Sequence, residues 1–283
     1  MNMNLVLQGP KAQRDGLERI AALASPARIV PLGGNAIRCE GFAYSLDLKQ
    51  AIELAAHAAQ VDATFIAAGR TLSDFRLVAM DMDSTLITIE CIDEIADMQG
   101  LKPQVAEITE AAMRGELDFA DSLKRRVALL EGLDASALER VYEERLQISM
   151  GGEKMLAAVQ GAGLKTLLVS GGFTFFTERL QKRLGLDFVH ANELEIVDGK
   201  LTGRVVGGIV DAEEKKRTVE RVCAQLSANP QQAIVMGDGA NDLKMMKISG
   251  LSVAFRAKPV VYQQADVALN FSGLDGLLNI LAE

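Results

Sequence analysis

Apolar residues run along this chain in two rhythms, one before about residue 70 and one after residue 75. In the first stretch, short apolar runs alternate with helical spacing. Residues 4–8 (NLVLQ) are a brief apolar run, and residues 11–23 place Leu17, Ile20, Ala21 and Leu23 on one helical face. Residues 27–32 and 36–42 follow as two strands around a Gly33-Gly34-Asn35 turn signal. Residues 46–59 are helical again, with Ser45 as N-cap, and residues 61–67 close as a fourth strand. The order β-α-β-β-α-β is the split pattern of a ferredoxin-like α+β unit. A linker at 69–73 leads out of it.

The second rhythm is different. Residues 75–80 (FRLVAM), 165–169 (KTLLV) and 232–236 (QAIVM) are near-continuous apolar runs, as strands buried on both faces of a parallel sheet require. Residues 90–148 carry helical spacing and no strand signal. Residues 192–197 and 200–206, joined by Asp198-Gly199, predict an inserted hairpin. The expected fold class is α/β: a doubly wound parallel sheet over residues 75–283 with a helical insertion at about 90–148, preceded by a small α+β unit over 1–70.

Composition narrows the chemistry more than the fold. Lys plus Arg number 30 against 38 for Asp plus Glu, a formal net charge of −8. Such a chain lacks the positive field that captures nucleic acid. Three scattered cysteines and two histidines argue against a disulfide framework or a structural zinc site. No apolar run reaches the ~18 residues of a membrane helix, and the N-terminus carries no secretory signal pattern. A soluble cytoplasmic protein is expected, with neither nucleic-acid nor membrane partners. Its chemistry should come from carboxylates, hydroxyls and Lys or Arg.

Those groups gather where the apolar runs end. The first run ends in Asp81-Met82-Asp83-Ser84-Thr85, and two acids two residues apart point the same way if strand geometry persists. Alone, such a pair also serves as a helix cap or turn. The second run ends in Ser170-Gly171-Gly172 ahead of a helix at 174–184, an arrangement that makes an anion cradle or a plain turn. The third ends in Gly237-Asp238-Gly239-Ala240-Asn241-Asp242, an oxygen-rich set of the kind magnesium prefers. Lys215 and Lys216 open a further helix, Lys216 reading as a solvated residue. Residues 161–166 (GAGLKT) superficially resemble a P-loop but precede a strand instead of following one. His57, His190 and Cys91 read as structural.

In order and spacing, DMDST, VSGG, Lys215 and GDGAND resemble the four motifs of the haloacid dehalogenase-like hydrolases across residues 75–283. The stretches DMDSTLITIECIDEIA and MRGELDFADSLKRRVALL (113–130) resemble the phosphoserine phosphatases of that superfamily. The first segment resembles ACT-type regulatory domains in predicted topology alone. It is expected to act as a spacer or dimerisation module, or to bind an effector, and to be separable from catalysis.

The resemblance implies a Rossmann-like core with a helical cap and a magnesium ion. Asp81 would be the nucleophile, forming an aspartyl-phosphate, and Asp83 the general acid and base. The metal would be held by Asp81, Asp238 and the Asp83 carbonyl, with Asp242 in support. Lys215 would offset phosphate charge and restrain Asp81. Ser170 and the Gly171 N–H would bind phosphoryl oxygens, and the Asn241 amide would hold the substrate or its loop. Glu90 would take the substrate ammonium and Arg126 its carboxylate, with Met113 and Phe119 as an apolar lid wall. Read without the resemblance, Glu90 is a helix-start acid, Arg126 lies on a solvated face, and Met113 and Phe119 are core residues. The implied reaction is magnesium-dependent hydrolysis of O-phospho-L-serine, the last step of serine biosynthesis. The alternatives are another small phosphomonoester or a non-catalytic amino-acid sensor. The expected partners are that small molecule and, through the first segment, a second copy of the chain in a homodimer.

Overall fold

The computed structural model describes residues 2–33, 35–113 and 116–282. The first unit contains β1 (Met3–Gln8), α1 (Arg14–Ala21), β2 (Arg28–Pro31), β3 (Ala36–Glu40), α2 (Leu46–Ala58) and β4 (Asp62–Ala67). The sheet is antiparallel with the order β2-β3-β1-β4. Helix α1 starts later than its periodicity predicts. A turn closed by the Ala12 N–H on the Gly9 carbonyl occupies the preceding residues. Ser45 caps α2, its Oγ accepting from the Leu48 N–H at 3.1 Å. Leu5, Leu7, Ile37 and Cys39 face Leu17, Ile20 and Ile52 of the two helices. On the opposite face Val6 and Ile66 join the core of the larger unit. The alternation of a strand thus serves two cores at once.

The second unit follows as β5 (Leu77–Met80), α3 (Cys91–Asp97), α4 (Lys102–Met113), α5 (Phe119–Ala128), α6 (Ser136–Glu144), α7 (Gly152–Gly161), β6 (Lys165–Phe173), α8 (Thr174–Leu184), β7 (Phe188–Val197), β8 (Lys200–Val206), α9 (Ala212–Gln225), β9 (Ala233–Gly237), α10 (Leu243–Ile248), β10 (Leu251–Phe255), α11 (Pro259–Tyr262), β11 (Val267–Leu269) and α12 (Gly276–Ile280). Its sheet order is β11-β10-β9-β5-β6-β7-β8, parallel except at β7–β8. The apolar runs are continuous because helices cover both faces. Val78 and Met80 of β5 pack with Met155 and Phe176, whereas Leu77 and Ala79 pack with Val219, Val222 and Met245. Fully burying a large apolar side chain of this kind stabilises the fold by ~1.5–3 kcal/mol, so the central strands are its most firmly held part.

Two strands differ from the sequence reading. β6 does not end at residue 169 but continues through Ser170, Gly171 and Gly172 to Phe173, with its pairing to β7 irregular between Val169 and Phe173. β7 begins at Phe188, so it includes His190. It pairs with β6 first and then turns antiparallel onto β8. Asp198 and Gly199 at the turn both have positive φ, 50° and 74°, as a tight hairpin demands.

Helices α3 to α6 form a cap joined to the core by two segments. Ile87 bridges Ile148, the Thr88 N–H donates to the Gln147 carbonyl at 3.0 Å, and the Ser149 N–H donates to Leu86 at 2.9 Å. The hairpin is sewn to the cap as well, by Gly132 N–H to Leu201 carbonyl and Leu201 N–H to Leu133 carbonyl, each 2.8 Å. Among the described residues, no helix is long and apolar enough to cross a membrane.

Candidate active site

The polar ends of β5, β6 and β9, adjacent in the sheet, converge at one edge. Asp81 follows β5 directly. Its Oδ1 accepts the Met82 N–H at 2.7 Å and its Oδ2 lies 2.8 Å from Lys215 Nζ. Asp81 and Asp83 both keep extended dihedrals, and the chain turns at Ser84. Met82–Leu86 form a kinked turn closed by the Leu86 N–H on the Asp81 carbonyl and the Ile87 N–H on the Met82 carbonyl, with Ser84 in the left-handed region at φ 55°. A non-glycine residue there costs roughly 1–2 kcal/mol. The Ser84 Oγ bond to Glu90 Oε1, at 2.6 Å, accompanies this conformation. The Asp83 carboxyl faces β6. Its Oδ1 accepts the Cys91 N–H at 3.3 Å, and a β-carbon on Gly172 would lie 2.8 Å from its Oδ2.

Lys215 comes from the first turn of α9 and has no exposed surface. Its ammonium lies 2.8 Å from both Asp81 and Asp242. Burial opposes its charge, but Asp242 and Asp81 outweigh that cost and hold it above the ordinary ammonium range. Asp242 uses its second oxygen on the N–H groups of Asp238 and Gly239, at 3.2 and 3.0 Å. Gly237 is required beside it, because a β-carbon there would strike the Asp242 carboxylate. Asn241 folds its amide oxygen back over Gly239.

Carboxylate oxygens of Asp81, Asp238 and Asp242 lie within 4.8 Å of one another. Two of these acids, Asp81 and Asp242, share the one Lys215 ammonium. Burial and the Asp242 charge push Asp81 above the usual carboxylate range, against Lys215. Burial, then Asp242, raises Asp238 to about 6. All-oxygen donors with surplus negative charge fit a hard divalent cation. The sequence reading placed Asp242 in support and counted Asp83 among the ligands through its carbonyl. Asp242 lies in the same side-chain cluster as Asp81 and Asp238, and the Asp83 carboxyl faces β6. Burial, then the Glu90 charge, raises Asp83 to about 7.

Ser170 is buried, with its Oγ accepting the Gly172 N–H at 2.8 Å. Gly171 lies under Phe119 of α5: a β-carbon there would lie 2.8 Å from the ring Cζ. Arg126, also on α5, is half-buried. Burial lowers its pKa, while Asp93, Glu90 and Asp83 act to raise it, so its charge faces the same acids as the site. Met113 ends α4, and its side chain lies outside the described residues. His57 packs edge-on against Phe271, and His190 faces Glu214 at 3.4 Å.

Three further residues escape sequence reasoning. Cys91 holds Asp83 through its backbone N–H. Ser84 holds Glu90, and the Thr85 Oγ1 donates to Asp238 Oδ1 at 3.3 Å. Ser84 and Thr85 sit inside the DMDST motif, the one signal that could have flagged them. For Cys91 the signal is its place beside Glu90, which suggests a position near the pocket and not a bond to Asp83.

The doubly wound sheet, with an acid cluster at its strand ends and a helical cap above, defines a class. The family model of the haloacid dehalogenase-like hydrolases matches residues 78–247. A phosphoserine phosphatase of Polaromonas sp. is 56% identical over 215 residues, covering 74% of this chain and 91% of that protein. A crystal structure of a probable phosphoserine phosphatase from Vibrio cholerae superposes with TM-score 0.85 at 35% identity, covering 99% of this chain and 86% of that one. A HAD family hydrolase of Salmonella enterica serovar Typhi gives TM-score 0.90 at 29% identity, covering 100% and 99%. The chain belongs to the haloacid dehalogenase-like hydrolases and, within them, to the phosphoserine phosphatase group.

Proposed function

We propose that this chain hydrolyses O-phospho-L-serine to L-serine and phosphate through an aspartyl-phosphate on Asp81. The observation that carries the reading is the pairing of Asp81 with Lys215 and the placement of Asp83 beside Ser170 and Gly172, under a cap that carries Arg126 and borders Glu90. The 56% identity to a phosphoserine phosphatase supports the choice of substrate.

In the first half-reaction an Asp81 oxygen attacks phosphorus and the bond to the serine oxygen breaks. Asp83, held partly protonated at neutral pH, gives its proton to that oxygen. Ser170 and the Gly171 N–H bind the phosphoryl oxygens, and Lys215 offsets their charge and restrains the nucleophile. Glu90 and Arg126 take the ammonium and carboxylate of the substrate, the latter bidentately. In the second half-reaction water attacks the acyl phosphate while Asp83 takes its proton. Phosphate leaves and Asp81 is restored. Asp81 and Asp238, with the Asp83 carbonyl, would hold a magnesium ion, with Asp242 fixing Asp238 and Lys215. That ion supplies the positive charge that lets a carboxylate approach a phosphate dianion. The Asn241 amide bounds the pocket, and Phe119 closes it against water.

The product places the enzyme at the end of serine biosynthesis, and its composition fits the cytoplasm. The test is a phosphate-release screen over small phosphomonoesters, with and without magnesium. Phosphoserine should exceed sugar phosphates by far in kcat/KM, and release should cease without a divalent ion. An equal rate on all esters would reject the substrate assignment.

A further inference from the structure

Asp62 opens β4 and is buried. Its carboxylate accepts the main-chain N–H groups of Asn270, Phe271 and Ser272 at 2.8, 3.2 and 2.8 Å. Charge-assisted bonds of this kind fix a loop firmly. Gln8, on neighbouring β1, anchors the other end. Its Nε2 donates to the Gly276 carbonyl at 3.1 Å and its Oε1 accepts from Asn279 Nδ2 at 2.7 Å. The first unit therefore grips residues 270–276 at both ends.

Between those anchors the loop presses on the cap's second hinge segment. The Leu274 N–H donates to the Met150 carbonyl at 2.8 Å. The Asp275 carboxylate lies against Gly151, where φ is 78° and any β-carbon would collide, and pairs with Lys154 at 3.0 Å. The next links are those of the hinge: Ser149 N–H to Leu86 carbonyl at 2.9 Å, and Leu86 N–H to Asp81 carbonyl at 3.3 Å. Hydrogen bonds joined by short stretches of main chain thus run from β4 to the turn that carries Asp81 and Asp83.

We propose that residues 270–276 are a strut through which the N-terminal unit sets the cap hinge, with Asp62 a positioning residue for hydrolysis. The unit is then not a separable appendage. Its kinetic consequence rests on the phosphoserine reading, whereas its mechanical consequence does not. Loosening the hinge misplaces Glu90 and Arg126 relative to Asp81. The loss should therefore fall on substrates that need the cap.

The test uses the full chain as wild type, Asp62→Ala, Asp62→Asn and Asp275→Ala. Asp62→Asn keeps one accepting oxygen. For Asp62→Ala, kcat/KM on phosphoserine should fall about tenfold more than on p-nitrophenyl phosphate, a usual size for coupling between sites. Most of the loss should lie in KM, and Asp62→Asn should recover most of it. Asp275→Ala, at the far end of the strut, should show the same selective loss. By hydrogen exchange, segments 84–90 and 145–152 should exchange faster in Asp62→Ala while β9 keeps its protection. Equal losses on both substrates, or unchanged hinge exchange, would overturn the strut. If Asp62→Ala does not fold, Asp275→Ala carries both readouts. Should the wild type fail to hydrolyse phosphoserine, the substrate assignment falls, and hinge exchange alone decides the strut.

Discussion

Phe119 Cζ stands 2.8 Å from the point that a β-carbon on Gly171 would occupy. One residue belongs to the cap and the other to the sheet edge, so closure depends on a missing methyl group. Gly171→Ala should hold the cap ajar, raising KM for phosphoserine about tenfold, the scale of a misplaced closing element. Phe119→Leu added to Gly171→Ala should restore closure and recover most of the loss. Steady-state kinetics of the two variants checks this; a Gly171→Ala enzyme with wild-type KM would refute it.

Asp81 should be indispensable to covalent capture. Asp81→Asn should leave no acid-stable phosphoryl-enzyme trace by mass spectrometry and lower kcat by roughly 10^5-fold, as when a covalent nucleophile is removed. Asp238→Asn should instead weaken divalent-ion affinity, seen as a higher magnesium requirement with activity returning at high metal. Capture surviving in Asp81→Asn would exclude it as nucleophile.

Arg126 should matter in proportion to what it holds. Losing a hydrogen-bonded charge pair costs about 1.5–3 kcal/mol, roughly 10- to 150-fold. Arg126→Ala should lose that much kcat/KM on phosphoserine and little on an aryl phosphate that lacks the amino-acid moiety. Parallel losses on the two esters would show that Arg126 supports the cap alone.

The pH dependence follows from Asp83, raised to about 7 chiefly by burial and secondly by Glu90. A raised carboxyl keeps its proton below that value and loses it above. Leaving-group protonation in the first half-reaction should therefore decline as pH climbs past about 7. Glu90→Gln removes one of the charges that raise Asp83 and should move this limb toward acid. Rapid-quench measurement of serine release across pH reads the limb directly. A limb that stays in place in Glu90→Gln, or shifts toward alkaline pH, would contradict the electrostatic coupling.

Much of the architecture was legible because it is local. A strand covered on both faces must be apolar throughout, and Leu77–Met80 and Ala233–Gly237 satisfy that with no reference to the rest of the chain. The polar groups that end such strands must then lie at the sheet's edge, which is why Asp81, Ser170 and Asp238 could be nominated from spacing. Strand geometry misled where the backbone departs from it. The chain leaves extended geometry at Ser84, and β6 runs on through two glycines at which Phe119 and Asp83 leave no room for a β-carbon.

By itself, the order of residues determined the two sheets, the helical insertion and the set of acids available for chemistry, since periodicity and side-chain type are properties of short windows. Tertiary structure alone decided which acids share Lys215, that Cys91 holds Asp83, and that Asp62 grips Asn270 across 208 residues of chain. Contacts so distant leave no periodic trace. They exist only once burial has brought the elements together and made each unpaired polar group costly enough to require a partner.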